Sequence, residues 1–358
     1  MYPEFCLERW QSLRDWRAKY VLSESGVEPL ELRDINITNV KLEYGHTKGL
    51  VKLRELISSF YPGKKQEDII ITAGGAEANY LTILSTIKPG DEVIVEMPNY
   101  MQIPGLLRGM NARVKYIWLK EENFGLDLNQ LNEMVTKNTK AIVITNPNNP
   151  TGMALSDNEI RGIVEIAEDN NAMIIADEVY RGSEHDGKIR PSFVDLYDRA
   201  ISTNSMSKVY GLPGIRIGWA IANKDLVDKM WNIKDYTSIS PSIIGQEIAY
   251  RVLQEREVYM ERSRKIALNN FRLLERLLSS ADVKWIKPNA TVLAFIKLNG
   301  VRNTYDFSES LFQKYSVLVN PGECFEMPSY VRIGLGSTNT EFLTEALSLF
   351  VKHLNEYR

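Results

Sequence analysis

The 358-residue sequence is poor in the residues that build metal clusters and disulfide scaffolds. It holds two cysteines, Cys6 and Cys324, and three histidines, His46, His185 and His353. Two cysteines give neither a disulfide framework nor a thiolate cluster, and three scattered histidines leave no basis for a His-rich metal site or a histidine relay. An excess of one charge is also missing. With 43 Lys and Arg against 46 Asp and Glu the formal charge is −3, which offers no electrostatic footprint for nucleic acid or an anionic membrane. Apolar runs are only a few residues long, far below the ~20 that span a bilayer. Glu4, Glu8 and Arg9 interrupt the start, where a secretory signal would be apolar. What is present is the mix of a globular protein, 44% hydrophobic and 25% charged, at a length that predicts about two domains. The expectation is a soluble cytoplasmic protein with no metal, membrane or nucleic-acid partner.

Short β-rich runs alternate with helical patterns through the middle of the chain. Ile69-Ile-Ile-Thr72, Glu92-Val-Ile-Val-Glu96, Ala141-Ile-Val-Ile-Thr145 and Ala172-Met-Ile-Ile-Ala176 are nearly continuous apolar segments, as in strands covered on both faces. Glu77 to Ile87 and Ser156 to Asp169 read as helices between them, the second opening with the Ser156/Glu159 spacing of a capping box. This alternation predicts an α/β domain with a mostly parallel sheet. After about Ser240 the pattern turns to long helices, with Tyr259 to Ser280 as one connecting helix. Val292 to Ile296 and Tyr330 to Ile333 read as strands of a smaller α+β unit closed by a helix over Glu341 to Tyr357. The expected division is a large domain over 41–262 and a small one built from both termini, 1–40 and 263–358.

Four segments carry chemistry. Thr72-Ala-Gly-Gly-Ala-Glu77 follows a strand and opens a helix, so its glycines let backbone N–H groups approach an anion such as phosphate. A plain tight turn would have the same residues, and the pattern is not that of a dinucleotide site. Asn146-Pro-Asn-Asn-Pro-Thr-Gly152 is a rigid loop at a strand's carboxyl end, the place where α/β sheets bind ligands. Asp177 and Glu178 end a buried strand, as in nucleotide hydrolases, but Pro62-Gly-Lys-Lys65 lacks the glycine and hydroxyl of a P-loop. Asp177 therefore needs another cationic partner, while Glu178 points to the opposite face of its strand. Ser205-Met-Ser-Lys208 and Arg216 combine two hydroxyls, an amine able to capture a carbonyl, and a fork that matches phosphate oxygens. A phosphate cradle, an anion for a pyridinium, a reactive amine and a hydrogen-bonding Asn together describe pyridoxal 5′-phosphate chemistry.

From about Tyr44 to Leu335 the sequence resembles the class I/II aminotransferases of pyridoxal-phosphate fold type I, with every motif in order. The resemblance implies a seven-stranded-type, mostly parallel sheet and an enzyme that moves an α-amino group to a 2-oxo acid by a ping-pong mechanism. It implies that Lys208 of the Ser-x-Ser-Lys motif forms the Schiff base with the cofactor and that Asp177 pairs with the pyridine nitrogen. Tyr180 and Asn149 are implied to bond the phenolic oxygen, and Tyr100 to stack on the ring. Gly75, the backbone of Ala76 and Glu77, Ser205, Ser207 and Arg216 resemble the phosphate site. Tyr44 resembles the tyrosine that reaches the neighbouring subunit's phosphate, which implies a homodimer. Arg332 in Val-Arg-Ile-Gly resembles the arginine that holds the substrate α-carboxylate, with Asn149 and Gly26 beside it.

The turn Ser23-Glu-Ser-Gly-Val-Glu-Pro29 departs from the Gly-Glu-Pro-like turn of many relatives and leaves the substrate side-chain pocket undefined. Arg33, Arg181 and Arg190 are the candidates for a second arginine that would bind a dicarboxylic substrate. A fold type I enzyme performing β-elimination, replacement or cyclisation would use the same Lys208 and Asp177. A pyridoxal-phosphate-binding transcriptional regulator would need a basic DNA-binding module that this slightly acidic chain does not show. Cys324 reads as a small apolar residue near Arg332, Trp219 as core, and His46 as a satisfied loop histidine.

Overall fold

A computed structural model describes residues 2–357. After the short strand β1 (Tyr20–Val21), seven strands form one sheet: β2 (Ile69–Thr72), β3 (Glu92–Met97), β4 (Arg113–Trp118), β5 (Thr139–Thr145), β6 (Met173–Asp177), β7 (Ala200–Ser205) and β8 (Gly218–Ile221). Their order is β2-β8-β7-β6-β5-β3-β4, and β8 alone runs against the others. The apolar runs are continuous because both faces are covered, and alternate residues serve different cores. Val93, Val95, Val143 and Ile175 pack with Ala78, Leu81 and Met230 of the helices Gly75–Thr86 and Lys224–Lys234. Ile94, Ile142, Ile144 and Ile174 face Ile163 and Ala167 of the helix Asp157–Asn170 on the other side. That helix starts with the expected box, Glu159 N–H donating to Ser156 Oγ and Ser156 N–H to Glu159 Oε2.

This topology decides where a site forms. The parallel strands β2, β5, β6 and β7 end at one edge of the sheet, and antiparallel β8 begins at the same edge. The loops after Thr72, Thr145, Asp177 and Ser205 and before Gly218 therefore converge, as ligand-binding loops of open α/β sheets do.

The second unit is a four-stranded antiparallel sheet of β9 (Val283–Trp285), β10 (Leu293–Leu298), β12 (Asn320–Pro321) and β13 (Tyr330–Gly334), in the order β12-β13-β10-β9. The helices Arg256–Leu278, Thr304–Tyr315 and Thr340–Glu356 cover it, with Phe271, Leu274, Phe307, Leu311, Leu347 and Phe350 in the core. The start of the chain joins this unit, since β1 pairs in parallel with β11 (Val317–Leu318). Trp10 of the helix Cys6–Ser12 donates from Nε1 to the Val319 carbonyl at 2.9 Å. The two cysteines do not stay apart as the sequence led us to expect. Cys6 and Cys324 are joined in a disulfide, with their Cα atoms 5.1 Å apart, because the N-terminal helix crosses onto the turn Gly322–Phe325. Cys324 is thus a tether of that helix rather than a lone apolar residue. Among the described residues no helix is long and apolar enough to cross a membrane.

Candidate active site

Asp177 is the last residue of β6 and lies almost wholly buried at the base of the cleft between the two units. Its Oδ2 accepts a hydrogen bond from Asn79 Nδ2 at 2.9 Å, and its Oδ1 accepts from the Val179 backbone at 3.2 Å. Burial pushes the carboxyl above its ordinary value, and these two donors and the Lys208 charge pull it back. Asn79 is fixed in turn, because its Oδ1 accepts from Thr203 Oγ1 at 2.7 Å. Glu178, the next residue, faces away and bonds Ser192 and the Phe193 backbone.

One end of the cleft suits an anion. The helix Gly75–Thr86 points its N-terminus into it, so its first backbone N–H groups lack intrahelical partners. Ser205 and Ser207 flank this end, with Ser207 N–H donating to Ser205 Oγ at 3.1 Å. Arg216 Nη1 lies 3.4 Å from Ser207 Oγ and 3.0 Å from the Pro213 carbonyl. Gly74 has φ +84°, and a Cβ there would stand 2.3 Å from Arg216 Nη2, so only glycine lets the guanidinium lie over the helix start.

Lys208 follows β7 and is half-buried, with Nζ donating to Ser25 Oγ at 2.9 Å. Burial lowers its basicity, which keeps an amine available as a nucleophile. At the other end sits Arg332 of β13, only 1% exposed. Its Nη1 donates to Asn149 Oδ1 at 2.8 Å and its Nη2 to the Ser23 carbonyl at 2.6 Å, while Nε has no partner. Among the described residues it contacts no carboxylate, so a guanidinium is buried with hydrogen bonds and no counter-ion. Tyr180 is buried beside it, its hydroxyl pushed up to about 12 by burial. Tyr100 packs on Phe5 with ring centroids 5.0 Å apart and donates to Glu8 Oε1 at 2.6 Å.

One cavity of about 460 Å³ gathers Gly75, Ala76, Tyr100, Asn149, Asp177, Tyr180, Ser205, Ser207, Lys208, Arg216 and Arg332 from the sequence reading. Three others lie outside it. Glu77 turns its carboxylate to the Ala73 backbone and the Thr237 and Ser238 hydroxyls. Gly26 lines the adjacent hollow, where a Cβ would come within 3.0 Å of the Ser207 carbonyl. Tyr44 is 76% exposed, and its carbonyl accepts from Ser240 Oγ. His46 stacks on Trp231 and accepts from the Lys48 backbone, a satisfied loop histidine.

Sequence reasoning missed Asn79, Glu8, Glu24 and Ser25. No motif marks Asn79, although its position four residues into a helix that starts at the anion end could have drawn attention to it.

The residues present fit a phosphorylated pyridine aldehyde. The helix start, the two serines and Arg216 suit the phosphate; buried Asp177 lacks a full counter-ion and suits a protonated ring nitrogen; Lys208 suits the carbonyl. Comparison with known proteins agrees. The family described as aminotransferase class I and II matches residues 27–350. The aspartate aminotransferase of Pyrococcus horikoshii is 32% identical over 87% of this chain and 83% of its own. The capreomycidine synthase of Streptomyces vinaceus is 27% identical over 95% and 91%. A crystal structure of a PLP-dependent aminotransferase from Streptococcus suis matches all of this chain and 99% of its own, with a TM-score of 0.93 and 32% identity. Fold and site thus define a pyridoxal-phosphate enzyme of fold type I. The chain belongs to the class I and II aminotransferases. It is a pyridoxal 5′-phosphate-dependent transferase that acts on amino acid and 2-oxo acid substrates.

Proposed function

We propose that this cavity exchanges the α-amino group of an amino acid with a 2-oxo acid, with Arg332 and Lys208 as its two working ends. The observation that carries the reading is Arg332, a buried guanidinium that pairs with no carboxylate among the described residues and shares its cavity with Lys208, an amine made less basic by desolvation. Burying an unpaired cation is costly, and an arriving α-carboxylate removes that cost through a two-pronged ion pair. Bound pyridoxal phosphate supplies the carbonyl that takes up the amino group and the ring that stores the electron pair released at Cα. Asp177 keeps the ring nitrogen protonated. Asn149 and Tyr180 would hold the ring's phenolic oxygen, and Tyr100 would pack against the ring. Ser205, Ser207, Arg216 and the backbone of Gly75, Ala76 and Glu77 hold the phosphate. Arg332 would fix the carboxylate and so orient the substrate Cα toward Lys208, which would take up the proton there and return it.

Tyr44 is exposed on the same surface as the start of the phosphate-facing helix: Ser240 bonds its carbonyl, and Ser238 bonds Glu77. Leu42 and Tyr236, close in sequence to Tyr44 and Ser238, are exposed as well. We propose that this face pairs with a second copy in a cytoplasmic homodimer and that Tyr44 reaches the partner's phosphate. Sedimentation should give a dimer, and Tyr44→Phe should weaken cofactor retention without dissociating it; a monomer with full activity would contradict this.

A second reading, cyclisation or β-elimination, is supported by the likeness to capreomycidine synthase over 95% of this chain. The two separate on product analysis with a 2-oxo acid acceptor. A new amino acid carrying the donor's nitrogen supports transamination; loss of donor with ammonia or a ring product, and no new amino acid, supports the second.

A further inference from the structure

Among the described residues, six charged side chains line the cavity, and four have duties under the reading above. Arg216 meets the phosphate, Lys208 the carbonyl, Arg332 the α-carboxylate and Asp177 the ring nitrogen. The two left over are both carboxylates, Glu8 and Glu24. Glu24 sits between two site contacts, since the Ser23 carbonyl accepts from Arg332 and Ser25 Oγ accepts from Lys208. Its own carboxylate makes no hydrogen bond or ion pair among the described residues. Glu8 stands on the N-terminal helix; Oε1 accepts from Tyr100, and its other oxygen is free. Gln11, one turn further on, donates from Nε2 to the Ser23 carbonyl at 2.8 Å and to Asn320 Oδ1 at 3.1 Å, which leaves its carbonyl oxygen as the group to offer. The uncommitted side-chain oxygens of these three residues are all acceptors.

A counter-charge for an acidic side chain is missing from this chain's cavity. The three arginines considered for that duty are engaged elsewhere. Arg33 pairs with Glu31 at 2.7 Å, Arg181 lies 3.7 Å from Asp195, and Arg190 pairs with Asp186 at 3.0 Å. The charges of the cavity lining left without a duty are therefore both negative, while buried Arg332, with its unpartnered Nε, marks where the α-carboxylate would bind.

We propose that the amino-acid substrate carries a cationic side chain, an amino or guanidinium group held by Glu8 and Glu24. This rests on the reading of Arg332 and Lys208 given above and adds the substrate class. The field of these two carboxylates already reaches the site, where Glu24 is the largest charge opposing the loss of basicity of Lys208. A carboxylate side chain would meet two like charges, and an apolar one would leave both unpaired.

The test titrates the holoenzyme with ornithine, lysine, arginine, aspartate and leucine, following the cofactor's visible spectrum and the heat of binding. It then compares kcat/KM for the same donors. The expected result is binding of at least one cationic donor about tenfold or more tighter than aspartate and leucine, as one charge-assisted hydrogen bond supplies. Glu24→Gln and Glu8→Gln should each reduce the ornithine-to-leucine ratio of kcat/KM by about tenfold, mainly through KM. Both residues are exposed, so the variants should keep the wild-type circular dichroism. Preference for aspartate or leucine would overturn this inference while leaving the amino-acid site intact. Silence toward every amino acid would overturn the site reading as well.

Discussion

Replacing Asn79 with Leu tests how the buried carboxylate is prepared for its partner. Asn79 donates to Asp177 Oδ2 at 2.9 Å and accepts from Thr203 Oγ1 at 2.7 Å, and all three side chains are nearly or fully buried. Leu has a similar shape and removes both bonds. A hydrogen bond to a charged group contributes about 1.5–3 kcal/mol, so the cofactor should bind about 10- to 150-fold more weakly. The mechanism is electrostatic. Without the Asn79 donor, burial raises the Asp177 carboxyl further, and a protonated Asp177 offers the ring nitrogen no charge. The same change leaves the Thr203 hydroxyl unpaired, at a cost of about 1–3 kcal/mol in stability. Thr203→Val removes only the second bond, and should lower stability less while leaving cofactor affinity near wild type. The assay is a fluorescence titration of apoenzyme with cofactor, alongside urea denaturation of each variant. A folded Asn79→Leu apoenzyme that binds the cofactor as tightly as wild type would refute the reasoning.

Further predictions follow from neighbouring groups. Glu96 is fully buried, accepting from the Thr145 backbone, and burial pushes it up to about 8; Glu178 is pushed up to about 7. Both stay protonated in the fold over a range where the unfolded chain has ionised them, so their contribution is complete below about pH 4.5 and falls as pH rises toward 8. Glu96→Gln should flatten much of that slope and raise the melting temperature at pH 8, with a gain of a few kcal/mol at most; a variant with an unchanged pH profile of melting would count against it. Arg332→Lys keeps the charge but loses the fork, so kcat/KM for the amino-acid half-reaction should fall about 30- to 150-fold, about 2–3 kcal/mol, with cofactor content unchanged; equal loss of cofactor would place Arg332 elsewhere. Gly74→Ala forces a side chain against Arg216 at a positive φ and should cut phosphate-dependent cofactor retention on dialysis, whereas wild-type retention would contradict the cradle.

The sequence was most readable where one local rule dominated. The apolar run Ile69–Thr72 is the strand β2 to the residue, and Ser156 with Glu159 starts the helix where expected, because burial on both faces and capping are local. Asp177, Lys208, Asn149, Arg216 and Arg332 were legible because their motifs share one chain order, and they meet in one cavity. What escaped depends on contacts between distant segments. β4 was invisible because its edge position leaves it alternately exposed and half-buried, Arg113-Val-Lys-Tyr, without an apolar run. The pairing of Cys6 with Cys324 spans 318 residues and follows from where the N-terminal helix lands, which no spacing rule encodes. Glu8 and Glu24 look like ordinary surface charges until that helix and the Ser23–Pro29 turn are set against β13. Asn79 is one polar residue in an otherwise unremarkable helix until β6 and β7 bring Asp177 and Thr203 to it.

Whether Lys208 is the residue that holds the cofactor and works on the substrate is tested most directly by borohydride reduction of the purified holoenzyme followed by peptide mass spectrometry. The expected result is a cofactor-derived mass fixed on the peptide containing Lys208, absent when the protein is first treated with a good amino-acid donor and absent in Lys208→Ala. A cofactor mass on any other lysine, or unlabelled Lys208 in a preparation that retains cofactor and activity, would contradict it.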